Sequence, residues 1–194
     1  MVISRNAFLF ILGAVACERC FELWLSCHNA RRSTAQGAIE VGQIHYRIMV
    51  VFHSLFFLSA AYEAVYMKRG AAPGVSYVAL TGAIVAQLLR YWAVVTLGER
   101  WNTRIIVVPD APPITGGPYR FVRHPNYLAV VIEMVALPMI YGCWFTATVF
   151  SVGNAILLAI RIPIEEEALG IKYKKAFAET PRLLPRLWRR GTTG

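Results

Sequence analysis

Apolar residues run along the chain in long blocks, and five blocks are long enough to cross a hydrocarbon core of ~30 Å. They cover residues 7–27, 48–67, 75–97, 127–140 with a continuation to 143, and 145–164. The last two are short and joined only by Gly142, Cys143 and Trp144, which predicts a tight helical hairpin. The pattern therefore predicts an all-α, integral membrane bundle of about five transmembrane helices, one membrane domain over residues 1–194. Residues 1–100 supply three helices; residues 101–194 supply a polar loop, the hairpin and a basic tail. The first block lacks a small-residue cleavage site, and Glu18, Arg19 and Glu22 interrupt it, so it is expected to stay as a span rather than be removed as a signal peptide.

Composition agrees. Apolar residues make up 57% of the chain and charged residues 16%, where a soluble domain carries about 25% charged residues. The net charge of +9 follows the loops. The first loop (Arg31, Arg32, Arg47), the third loop (Arg100, Arg104, Arg120, Arg123) and the tail (Lys172, Lys174, Lys175, Arg182, Arg186, Arg189, Arg190) hold fourteen basic residues. The opposite side holds Arg5, Lys68 and Arg69. This asymmetry places the third loop and the tail in the cytosol and the N-terminus outside. Basic juxtamembrane segments suit anionic lipid headgroups, so membrane lipids are the expected partners and nucleic acid is not.

Cys17 and Cys20 form a CxxC without a second ligand pair; structural zinc sites need four ligands, so these are expected to be buried thiols and no metal is implied. His28, His45 and His53 lack ligand spacing, and no GxSxG or HExxH occurs. Ionisable residues inside spans are site candidates because they are costly there. Glu18, Arg19 and Glu22 suit a local ion pair. Glu63, beside Lys68 and Arg69, is expected at the interface. Arg90 shares a face with Gln87 and can snorkel to the cytosolic side or act inside. Glu133, about 180° round its helix from His124, can pair with another helix or touch a substrate.

The hairpin holds the densest chemistry. "GPYRFVRHPNYLAV" (117–130) leads a hydrogen-bonding loop into the fourth span, where His124 and Tyr127 share a face. In the fifth span Asn154, Arg161 and Glu165 fall within about 40° of one another, and Pro163 is placed to kink the helix and release the Ala159 carbonyl. Antiparallel neighbours bring the two polar sets to one depth. A site there can admit a polar cofactor from the cytosol and a greasy substrate from the bilayer.

At these residues the chain resembles the isoprenylcysteine carboxyl methyltransferase family of integral membrane enzymes, and more distantly phospholipid N-methyltransferases. The resemblance rests on "GPYRFVRHPNY" followed about forty residues later by "RIPIEEEAL" and is strong over residues 101–185. The N-terminal half, with "GAIEVGQIHYRIMVVFH", is similar to a bacterial branch that methylates alkylpyrones; eukaryotic members have longer, different N-terminal spans. The resemblance implies S-adenosylmethionine held by helix ends and a cytosolic loop, which makes residues 101–194 the catalytic half. By motif position it implies that Tyr119, His124, Pro125, Asn126 and Tyr127 line the cofactor, with backbone contacts from Ile114. Glu165 would bind the cofactor's ammonium, with Glu166 as the fallback if the helix is rotated by one position. Arg161 would face the acceptor and serve the reaction.

The expected activity is O-methylation of a lipophilic small molecule, at a carboxylate or acidic enol of a prenylcysteine-like compound or alkylpyrone. Arginine is effectively always protonated, so Arg161 would fix an anionic oxygen rather than remove a proton. The alternatives are a phospholipid N-methyltransferase, against which Arg161 argues by repelling an amine, and a non-catalytic lipid-binding protein.

Overall fold

The computed structural model describes residues 3–67 and 69–184. Lys68, Pro185, Arg186, Arg189 and Arg190 lie outside the described residues. The elements run α1 (Arg5–Ala35), β1 (Ile39–Val41), α2 (Gln43–Tyr66), α3 (Pro73–Leu97), β2 (Ile105–Val107), α4 (Pro125–Met139), α5 (Trp144–Ala168) and α6 (Gly170–Ala176). Two 3-10 turns, Gly98–Arg100 and Gly117–Arg120, flank β2.

Helices dominate because a segment in lipid must satisfy its own backbone groups. Three of them, α2, α3 with its 3-10 extension and α5, are long and apolar enough to span a bilayer; α4 is shorter. The first block folds as α1, a helix of 31 residues that, with Glu18, Arg19 and Glu22 inside it, is not among the helices apolar enough to span. Its charged residues pair with one another and hydrogen-bond to α3. Arg19 reaches Glu22 at 2.8 Å and donates to Gln87 Oε1 at 3.2 Å, while Gln87 Nε2 donates to Glu18. The protein is thus an all-α integral membrane bundle.

Small residues occupy the seams. On α3, Ala79, Ala86 and Ala93 are buried at spacings of seven, and Gly82 lies so near α4 that a Cβ would stand 3.3 Å from Ala136 Cβ. Close approach of this kind drives helix association in lipid, where burial of greasy surface gains little. Large apolar side chains such as Phe10, Leu58, Val78 and Val95 point outward. A core of Phe8, Leu12, Phe56, Met134, Leu137 and Phe150 joins α1, α2, α4 and α5.

The hairpin turns through Ile140–Cys143. Gly142 sits at φ +81°, and a Cβ there would meet the Gly70 carbonyl at 2.9 Å, so both conformation and space require glycine. Glu63, near the end of α2, turns into the bundle. It is fully buried, accepting from Phe145 N at 3.1 Å, Thr146 N at 2.9 Å and Thr146 Oγ1 at 2.9 Å. Its carboxylate supplies the cap that Cys143 cannot, at a helix end that favours negative charge. Arg69 Nε completes its shell at 3.1 Å.

One further expectation is corrected and one open alternative is settled. Cys17 and Cys20 are exposed on the outer face of α1, not buried. Arg90 does not snorkel; it is buried, with Nη2 2.5 Å from Glu133 Oε2, which also settles the partner of Glu133. The polar segments between spans carry two elements that hydropathy does not mark. One is α6; the other is an antiparallel ladder pairing Ile39 with Val107 and Val41 with Ile105, which ties the third loop to the α1–α2 connection.

Candidate active site

The third loop closes one end of the bundle and is held from below by α1. Ser26 Oγ donates to Asn102 Oδ1 at 2.6 Å and accepts from Thr103 N at 3.0 Å; Asn29 Nδ2 donates to the Trp101 carbonyl at 2.8 Å. Further along, Gly117 at φ +55° lies against Thr96, whose Oγ1 would be 2.4 Å from a Cβ. That approach seats the Gly117–Arg120 turn on α3 and turns Tyr119 inward, where it packs with Ala93 and Phe177.

Between this loop, the start of α4, the end of α5 and α6 lies a cavity of about 400 Å³, a size usual for small-molecule sites. Ile114, Tyr119, His124, Pro125, Asn126, Tyr127 and Glu165 all line it. The structure therefore brings together all seven residues read as cofactor-lining. Arg161 does not line this cavity. It lies one layer behind, 2% exposed, with Nε donating to Tyr127 Oη at 2.7 Å and Nη2 to the Thr103 carbonyl at 2.6 Å. Tyr127 donates in turn to Glu165, so one phenol joins the carboxylate on the cavity wall to the guanidinium behind it.

Glu165 and Glu166 are separated by role. Glu166 points away from the cavity and gathers side-chain nitrogens: His124 Nε2 at 3.2 Å, Arg123 Nη1 at 3.4 Å and Arg182 Nη2 at 2.7 Å. The backbone follows, as Arg123 N donates to Pro181 O at 2.8 Å and His124 N to Arg182 O at 3.1 Å. Glu166 thus straps the segment after α6 to the start of α4. Helix α5 runs unbroken through Pro163, which leaves Arg161, Glu165 and Glu166 on one regular spiral.

The cavity has a mixed charge. Arg100, Arg104, Arg123 and Lys172 line it beside Glu165 and Asp110. Lys172 bonds Asp110 at 2.7 Å, bridging the proline-rich loop to α6, and that ammonium holds the Asp110 carboxyl below its usual range. Burial, reinforced by the Glu165 carboxylate, pushes the Tyr119 and Tyr173 phenols well above theirs, so both remain neutral donors. Among the described residues, two buried donors on the cavity, Trp101 Nε1 and Arg104 Nε, have no partner. Unpaired buried donors call for a ligand acceptor.

Sequence reasoning missed Trp101, Arg104 and Tyr173. Trp101 and Arg104 sit in a loop without periodicity, and Tyr173 reaches the site only because Gly170, at φ +74°, redirects the chain after α5. Among the described residues there is no group of His, Cys, Asp or Glu arranged to hold a metal ion.

The family model described as the isoprenylcysteine carboxyl methyltransferase (ICMT) family matches residues 77–171, from α3 through the start of α6. The uncharacterized protein YpbQ of Bacillus subtilis is 36% identical over 163 residues, covering 84% of this chain and 96% of that protein. An uncharacterized protein of Haemophilus influenzae is 27% identical over 172 residues, 87% of this chain and 99% of its own length. A probable protein-S-isoprenylcysteine O-methyltransferase of Oryza sativa subsp. indica is 33% identical over 107 residues, 54% of this chain and 56% of that protein.

Proposed function

Because the chain belongs to the isoprenylcysteine carboxyl methyltransferase family, we propose that it is an S-adenosylmethionine-dependent O-methyltransferase for a lipophilic acceptor. The observation that carries this reading is Tyr127, whose hydroxyl is shared between Glu165 on the cavity and Arg161 behind it. One residue thereby couples a site for a polar cofactor to a buried cation suited to an acidic oxygen.

When bound, S-adenosylmethionine supplies an activated methyl group together with its own leaving group. The protein's part is orientation. Glu165 holds the ammonium by a charge-assisted bond, while Tyr119, His124, Pro125, Asn126 and the backbone near Ile114 form the walls. Arg161 fixes the acceptor oxygen. Its unused Nη1 has no partner among the described residues, and a planar guanidinium grips oxygens in a defined direction. Holding two reactants in line contributes about 7–11 kcal/mol at best, which leaves little chemistry for side chains to perform.

The acceptor class is an acidic oxygen, a carboxylate or an enol, on a molecule soluble in lipid. The N-terminal half supports an alkylpyrone-like enol over a prenylcysteine-like carboxylate. Phospholipid amines are disfavoured because a cationic head would meet Arg161. The cavity end, with the third loop and the tail, is the cytosolic end by its basic residues. The experiment is calorimetric titration of detergent-purified protein with S-adenosylmethionine and with its demethylated product; absence of binding to both would end the proposal.

A further inference from the structure

The C-terminal half of α1 buries a polar stripe. Glu22, Ser26, Asn29 and Ser33 are spaced by four, three and four, which sets them on one face, and all four are buried. That face meets the loop between α3 and β2. Ser26 is fully buried, and its hydroxyl has every hydrogen-bonding capacity in use. Its single proton goes to Asn102 Oδ1 at 2.6 Å. Its oxygen accepts from Thr103 N at 3.0 Å and from Thr103 Oγ1 at 2.7 Å. Asn102 Nδ2 returns a bond to the Ser26 carbonyl at 3.1 Å. Asn102 Oδ1 also takes Arg104 N at 3.1 Å, which closes an Asx-turn around Thr103.

The carbonyl of this clamped Thr103 accepts from Arg161 Nη2 at 2.6 Å. Arg161 Nε donates to Tyr127 Oη at 2.7 Å. A guanidinium is planar and rigid, so the two bonds fix its plane and the direction of Nη1, which has no partner among the described residues. One of the two acceptors, Tyr127, is placed by the regular turns of α4. The other, Thr103, lies outside helix and strand and takes its position from Ser26. Asn29, one turn further along α1, holds a different point of the loop, the Trp101 carbonyl on the cavity wall, at 2.8 Å. The family match begins at residue 77, so the hold on Thr103 comes from a helix outside the matched region.

We propose that Ser26 is a positioning residue for methyl transfer: by fixing Thr103 it aims Arg161 Nη1 at the acceptor oxygen. The proposal rests on the O-methyltransferase reading, in which Arg161 anchors the acceptor. Ser26 does not line the cavity and acts only through Thr103 and Arg161. Loss of its hydroxyl strands the Thr103 amide and hydroxyl, frees the carbonyl to turn, and lets the guanidinium turn with it. The cofactor wall of Tyr119, His124 and Glu165 stands on α3, α4 and α5 and keeps its place. Two neighbouring residues of α1 thus divide the loop between them, Ser26 serving the acceptor side and Asn29 the cavity wall.

The test uses the full chain in detergent with isotope-labelled arginine, the Nε–H resonance of Arg161 being assigned by its loss in Arg161→Lys. Ser26→Ala should make hydrogen exchange at that proton several-fold faster. Ser26→Thr, which keeps the hydroxyl, should hold the slow rate, and Asn29→Ala should leave it unchanged. Should Ser26→Ala fail to fold, Ser26→Cys, close in size and only a weak donor, takes its place with the same expectation. In a radiolabelled methyl assay with an alkylpyrone, Ser26→Ala should lower kcat/KM for the acceptor by roughly ten- to a hundredfold, with cofactor affinity unchanged. In an Arg161→Lys background the same substitution should cost nothing further. An unchanged Arg161 proton, equal acceleration in Asn29→Ala, or losses that add across the two backgrounds would each overturn the assignment. Absence of methyl transfer by the parent would count against the O-methyltransferase reading, while the arginine resonance would still decide the role of Ser26.

Discussion

Arg90 of α3 and Glu133 of α4 form an ion pair inside the bundle, Nη2 to Oε2 at 2.5 Å, with both side chains under 10% exposed. Arg90 also faces Glu22 of α1 at 3.7 Å and reaches Asn126 Oδ1 on the cavity at 3.5 Å. One guanidinium thus links three helices and touches the site wall.

Breaking that pair should cost more than deleting it. Glu133→Leu alone leaves a buried guanidinium with a weaker partner, and removal of one member of a buried pair costs about 3–5 kcal/mol. The double variant Arg90→Met/Glu133→Leu should recover much of this loss, since an apolar pair of similar volume is often neutral or better. Thermal unfolding of the two single variants and the double variant in one detergent gives the coupling. Additive losses would show that the two residues act independently.

Glu63 gives a second stability test. Its carboxylate accepts from two backbone amides and one hydroxyl at the start of α5, and a hydrogen bond to a charged group contributes about 1.5–3 kcal/mol. Glu63→Ala should lower the unfolding midpoint markedly, and Glu63→Gln less, because an amide oxygen can still accept. Equal midpoints for Glu63→Ala and the parent would remove the capping role.

Adjacent carboxylates should separate in their effects. Glu165→Ala should weaken binding of S-adenosylmethionine tenfold or more, since about 1.4 kcal/mol is a factor of ten and a charge-assisted bond exceeds that. Glu166→Ala should first release the segment held by Arg182, seen as faster tryptic cleavage at Arg182. Calorimetry and limited proteolysis on both variants check the pair; reversed outcomes would exchange the roles of Glu165 and Glu166.

The spans and the motif residues were legible in the sequence for separate physical reasons. Lipid demands long apolar runs, so four of the five blocks coincide with helices to within a few residues. His124, Tyr127, Arg161 and Glu165 stood out because polar side chains are costly at span ends. What stayed hidden depends on packing between distant segments. The capping by Glu63 joins residues more than eighty positions apart, and no local pattern distinguishes that carboxylate from an interfacial one. Trp101 and Arg104 enter the cavity through the β-ladder, whose two strands are three residues each and too short for periodicity to register.

Topology offers a prediction independent of chemistry. With Cys17, Cys20, Cys27 and Cys143 replaced, single cysteines at Ser4 and Asp110 should be labelled from opposite sides of the membrane, Asp110 from the cytosol. Labelling of both from one side would contradict an odd number of crossings before the third loop.

The central claim is methyl transfer to an acidic oxygen anchored by Arg161. Its most direct measurement follows radiolabelled methyl from S-adenosylmethionine into an alkylpyrone, a prenylcysteine analogue and phosphatidylethanolamine, using the parent and Arg161→Lys. Lysine lacks the planar fork, and a misplacement of about 1 Å costs on the order of a hundredfold in rate. The expected result is label in the pyrone or carboxylate acceptor, none in the amine lipid, and about a hundredfold loss in Arg161→Lys at unchanged cofactor affinity. Robust labelling of phosphatidylethanolamine, with Arg161→Lys as active as the parent, would contradict the account.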